Sequence, residues 1–98
     1  MKSPSPPRRE CAYPVPFRLE RQPSAHLYRI VNESDERLRG LTLTLHGSGM
    51  MSANLPESLG AREALEVTVA GHDLARSTIL VLRWFRPNGV EYLWRISF

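Results

Sequence analysis

Ninety-eight residues, a formal net charge of +3 and 42% apolar side chains suit one small globular domain. That length excludes a two-domain enzyme, a doubly wound nucleotide-binding fold and a β/α barrel. The charge is unevenly placed. In residues 1–24, Lys2, Arg8, Arg9, Arg18 and Arg21 meet only Glu10 and Glu20, whereas the rest of the chain holds eight Arg against eight Asp or Glu.

Residues 1–24 also hold six of the eight prolines and no glycine. Residues 1–12 offer almost nothing to bury, which predicts disorder. Pro4-Ser5-Pro6-Pro7-Arg8-Arg9 matches a minimal PxxPxR docking peptide, a string that Pro/Arg-rich tails also produce through composition alone. Val15, Phe17 and Leu19 alternate, and the flanking prolines limit that stretch to an edge strand. The expected division is a leader over 1–24, flexible or partly an edge strand, and a domain over 25–98. The single cysteine, Cys11, cannot form an internal disulfide and favours a reducing compartment. No apolar run approaches the ~20 residues that span a bilayer. The first ten residues lack the apolar core of a signal peptide, so the expected location is cytoplasmic. Asn32-Glu33-Ser34 fits the glycosylation sequon, which matters only in a secretory lumen.

From residue 26 the pattern is that of strands. Leu27, Tyr28, Ile30 and Val31 precede an Asn-Glu-Ser-Asp-Glu turn. Leu41, Leu43 and Leu45 alternate with Thr42, Thr44 and His46 as in a half-buried strand. Residues 50–62 are weakly patterned and read as a long connection or a short edge strand. Leu65, Val67 and Val69 alternate with Glu66 and Thr68, and residues 71–76 predict a single helical turn capped by Asp73. Residues 77–86 and 90–98 are the longest strands and form a hairpin. A two-residue Asn88-Gly89 turn would set Trp84 opposite Leu93 and mix the faces. A three-residue Pro87-Asn88-Gly89 loop pairs Arg86 with Val90, and then Trp84 meets Tyr92, Leu82 meets Trp94 and Leu80 meets Ile96.

Five clear strands, further edge strands and no helix of length predict an all-β, antiparallel immunoglobulin-like β-sandwich of about six or seven strands. Its expected core is Tyr28, Ile30, Leu41, Leu43, Leu45, Leu65, Val67, Val69, Leu80, Leu82, Trp84, Tyr92, Trp94 and Ile96. The Leu27–Asn32 stretch, the turn over 33–36, the Leu-Thr-Leu-Thr-Leu strand, residues 59–63 and the strand over 65–69 resemble bacterial immunoglobulin-like modules. The nearest kinds are the fibronectin type III-like and cell-adhesion-related (CARDB-like) ones. The resemblance covers about residues 26–98, with Ala61-Arg62-Glu63 where such modules often carry Pro-Gly-Glu. It implies the sandwich fold and a role in adhesion, spacing or protein docking.

No constellation in the chain meets the requirements of catalysis. His46-Gly47-Ser48-Gly49 lacks the first glycine of a nucleophile elbow, because Leu45 stands there, and reads as a turn. Cys11, His26, His46, His72 and Asp73 have no local metal-ligand spacing, and Glu33, Asp35 and Glu36 read as solvated turn charges. The expectation is a protein that is no enzyme and needs no cofactor or metal. The outer face of the last hairpin is the sharpest feature: Ile79, Val81, Phe85 and Leu93 form an apolar patch flanked by Arg83 and Arg95. Such a mix fits a protein interface, with a protein partner or a homodimer as the occupant, unless residues 13–19 or 50–55 cover it. The alternative is nucleic acid, bound by the basic leader together with the Arg/aromatic sheet face.

Overall fold

The computed structural model describes residues 13–23 and 26–98. The predicted disorder of residues 1–12, the PxxPxR string and Cys11 lie outside the described residues. Eight strands form two antiparallel sheets of four, giving an all-β sandwich. The first sheet runs β1 (Phe17–Arg21), β2 (Leu27–Asn32), β6 (Ala64–Ala70), β4 (Met50–Ala53). The second runs β5 (Ser58–Leu59), β3 (Leu38–Gly47), β7 (Thr78–Phe85), β8 (Glu91–Ser97). The count exceeds the expected six or seven because residues 50–62 supply two short strands, one to each sheet.

Alternation does most of the building. Leu65, Val67 and Val69 on β6, with Tyr28 and Ile30 on β2, face Leu80, Leu82 and Trp84 on β7 and Ile96 on β8, and all are buried. Leu43, Leu45, Tyr92 and Trp94 pack against this core from its margin, half-buried. Phe17, Leu38 and Leu59 are core residues beyond the expected set, Phe17 on the alternating edge stretch and the other two without an alternating pattern. Phe17 brings β1, and so five residues of the predicted leader, into the sandwich. Its ring meets Trp84 edge-on at 4.8 Å and lies parallel to Trp94 at 6.1 Å, a favourable aromatic geometry across the two sheets.

Leu38 and Leu41 both point inward although three positions apart, because β3 carries a bulge. Arg39 pairs with Phe85 and Thr42 with Arg83, so Gly40 and Leu41 together oppose Trp84. Gly40 has φ +59°, the left-handed value that a glycine-led bulge requires.

The helical turn is present as α1 (Leu74–Ser77), but Asp73 does not cap it with its side chain. Asp73 sits at φ 57° rather than in the extended region from which a capping carboxylate reaches forward. Its backbone carbonyl instead accepts from the Arg76 and Ser77 N–H groups. No helix among the described residues is long and apolar enough to cross a membrane.

Candidate interaction face

The hairpin that presents the face closes as its register demands. Arg86 N–H donates to the Val90 carbonyl at 3.0 Å, Gly89 N–H to the Arg86 carbonyl at 2.8 Å, and Val90 N–H to Asn88 Oδ1 at 2.9 Å. Trp84 pairs with Tyr92, Leu82 with Trp94 and Leu80 with Ile96, so the three-residue loop holds. Ile79, Val81, Arg83 and Phe85 therefore share the outer face with Glu91, Leu93, Arg95 and Ser97.

β3 extends this face on the far side of β7. Arg39 lies beside Phe85, Thr42 beside Arg83, Thr44 beside Val81 and His46 beside Ile79. Arg39 is the charged member that sequence reasoning missed, since the bulge that turns it outward shows only as Gly40 between Arg39 and Leu41. Phe85 rests its ring over Gly40, where a Cβ would stand 2.7 Å from Phe85 Cδ1. Phe85 nevertheless remains 37% exposed and Leu93 51%, while Ile79 and Val81 are half-buried. Neither suggested cover lies here. Residues 17–21 pair with β2 and residues 50–53 with β6, both in the first sheet. Tyr13 and Phe17 meet the second sheet at its inner-face aromatics, Trp84, Tyr92 and Trp94, and Tyr13 also at Arg86.

The two outer faces differ in electrostatics. On the first sheet, Arg18 bonds both Glu20 and Glu33, and Arg29 reaches Glu20 at 3.2 Å. The hydrogen bond from Arg18 holds the Glu20 carboxyl below its ordinary value. On the second sheet, Arg39, Arg83, Arg95 and Glu91 enter no ion pair among the described residues. Three arginines and one glutamate thus stand unpaired around exposed apolar side chains.

The turn carboxylates are partnered rather than simply solvated. Asp35 pairs with Arg62 at 3.0 Å. Glu36 takes Arg86 in a two-pronged contact, Nε–Oε1 3.0 Å and Nη2–Oε2 2.8 Å. Arg86 also stacks 4.1 Å from the Tyr13 ring centre, and its hydrogen bonds hold the Glu36 carboxyl below the usual range. Asn32 is fully buried, and its amide nitrogen donates to the carbonyls of Glu36, Leu59 and Gly60 at 2.9–3.1 Å. The sequon nitrogen is therefore spent on holding the turn to the β5–β6 connection, with no room for a glycan.

The remaining candidates do not assemble. Gly47 and Gly49, at φ +99° and +110°, make the crossing from β3 in one sheet to β4 in the other. Ser48 Oγ lies 2.7 Å from Ser77 Oγ, a partner that supplies no base. Among the described residues no three His, Cys, Asp or Glu side chains come together as a metal site. No protein-family model matches the chain, and no curated protein or solved structure matches it. What stands is an antiparallel β-sandwich whose second sheet exposes an Arg-rich apolar face.

Proposed function

We propose that the chain is a non-catalytic immunoglobulin-like interaction module that docks a protein partner through the outer face of β3, β7 and β8. The observation that carries this reading is the contrast between the two sheets. One outer face pairs Arg18 and Arg29 with carboxylates, and the other leaves Arg39, Arg83 and Arg95 without an ion pair among the described residues around Phe85 and Leu93. Arg and aromatic anchors beside aliphatic surface have the composition of interface centres, and three cations call for an acidic, partly apolar partner surface. The immunoglobulin-like assignment draws support from strand order. With the two-residue β5 set aside, β1-β2-β6-β4 and β3-β7-β8 follow the ABED and CFG orders of a constant-type domain. The single cysteine suits work in the cytoplasm.

The experiment is affinity capture from the source cell with the full chain, in wild-type form and as Phe85→Asp, Arg83→Glu and Arg29→Glu. Phe85→Asp and Arg83→Glu are expected to lose the partner with melting temperature nearly unchanged, while Arg29→Glu, on the other sheet, retains it. Equal recovery by all four proteins would refute docking through this face. Nucleic acid is the second reading, favoured by three arginines, without an ion pair among the described residues, around an exposed ring on a sheet. It predicts retention of labelled single-stranded RNA or DNA that falls steeply with salt and is lost in Phe85→Asp.

A further inference from the structure

The edge of β8, which no described strand covers, has a self-complementary charge pattern. Other edges of the sandwich are blunted: β1 lies between Pro16 and Pro23, β4 has four residues, and β3 is bent at Gly40 and met at one end by β5. β8 is seven residues long, with no proline, glycine or bulge, and ends its sheet.

The Arg86 to Val90 hydrogen bond sets the phase of the ladder. Val90, Tyr92, Trp94 and Ile96 direct their backbone groups to β7. Glu91, Leu93, Arg95 and Ser97 direct theirs to the open edge. The side chains of these last four lie on the outer face, and Glu91 and Arg95 stand two residues to either side of Leu93, unpaired within the described residues.

We propose that β8 pairs antiparallel with β8 of a second copy about a twofold axis at Leu93, joining two four-stranded sheets into one of eight. In this register Leu93 meets Leu93, and Glu91 of each copy meets Arg95 of the other. Every outward N–H and C=O of residues 91, 93 and 95 gains a partner. On the opposite face Tyr92 of each copy comes beside Trp94 of the other. The competing registers are worse. Centring on Glu91 or Arg95 sets like charges opposite, and centring on Tyr92 or Trp94 leaves both charges facing neutral residues. The interface is isologous, as a closed dimer requires. It draws Leu93 and Arg95 from the docking face but leaves Arg39, Arg83 and Phe85 outside the pairing, so Phe85→Asp tests docking and the charge swaps at 91 and 95 test the dimer.

The test is the mass of the full chain by sedimentation, in wild-type form and as Glu91→Arg, Arg95→Glu and the double variant. The wild type is expected at about twice 11.2 kDa. Each single swap sets two like-charge pairs at the axis and should weaken the dimer at least ~10-fold. The double variant restores the dimer, and an equimolar mixture of the two single variants forms a heterodimer. A wild type that stays monomeric overturns the pairing, as do single swaps that dimerise like the wild type. Amide exchange of the wild type reads the edge without any substitution. Leu93 and Arg95 N–H protection should rise with protein concentration, whereas protection independent of concentration assigns the edge to the chain's own residues and overturns the pairing. Phe85→Asp, on β7, leaves the dimer intact whatever it does to partner capture.

Discussion

Asn32 shows how one buried polar side chain can hold several segments. Its amide nitrogen serves three carbonyls, and its Oδ1 accepts from the Ser34 N–H at 3.0 Å and hydroxyl at 2.7 Å. Asn32→Ala strands those carbonyls around a fully buried position, and the expected loss is about 3 kcal/mol, read as a lower urea midpoint with an unchanged slope. A loss under about 0.5 kcal/mol would mean that water takes over the amide's role. Glu36 makes the acid sensitivity specific. Because Arg86 depresses its folded pKa, its contribution is complete above the unfolded value of about 4.3 and is lost as pH falls through the lower folded value. Glu36→Gln should therefore flatten the decline in melting temperature from pH ~5 downward. Parallel declines in the two proteins would place the acid sensitivity on other depressed carboxylates, Glu20 among them.

At the scale of elements, the β3 bulge decides what the sheet presents. One extra residue keeps Leu38 and Leu41 both inward and turns Arg39 out beside Phe85. Gly40→Ala forces a Cβ into a left-handed backbone and against the Phe85 ring, and should cost ~2 kcal/mol. In a Phe85→Ala background the steric part vanishes and only the backbone strain remains, so the double-mutant cycle should show coupling. A cost-free Gly40→Ala would argue against the bulge. The hairpin was legible in the sequence because a one-residue change of loop length inverts every side chain, and only one length collects Trp84, Tyr92, Leu82 and Trp94 on one face. Leu38 was not legible, since a bulge breaks the period on which such reading depends. Leu59 was hidden for a related reason: a two-residue strand has no period to show.

At the scale of the molecule, β1 changes what counts as the domain. Phe17 is buried between Trp84 and Trp94, and removing its ring opens a core cavity in a chain with little core to spare. Phe17→Ala is expected to cost about 3–4 kcal/mol by chemical denaturation. A chain truncated to begin at residue 25 should lose its cooperative melt, given net stabilities of roughly 5–15 kcal/mol for domains of this kind. A truncated chain that melts like the full one would return residues 17–21 to the leader. The charge balance shifts accordingly: Arg18, Glu20 and Arg21 belong to the sandwich, and Arg18 and Glu20 form an ion pair on its surface.

Strand alternation, the loop of the last hairpin and the neutrality of residues 25–98 follow from the sequence alone, because each depends on residues close together in the chain. The neighbour of β7, the bulge and the inclusion of β1 depend on contacts between distant segments, such as Phe17 with Trp84. So does the partnering of charges. The sequence counts as many acids as arginines beyond residue 24, but only the fold decides that, among the described residues, Arg29, Arg62 and Arg86 have carboxylate partners while Arg39, Arg83 and Arg95 do not. Ion pairing is a property of position in space, and the candidate surface exists because three arginines were placed where no carboxylate of the described chain meets them.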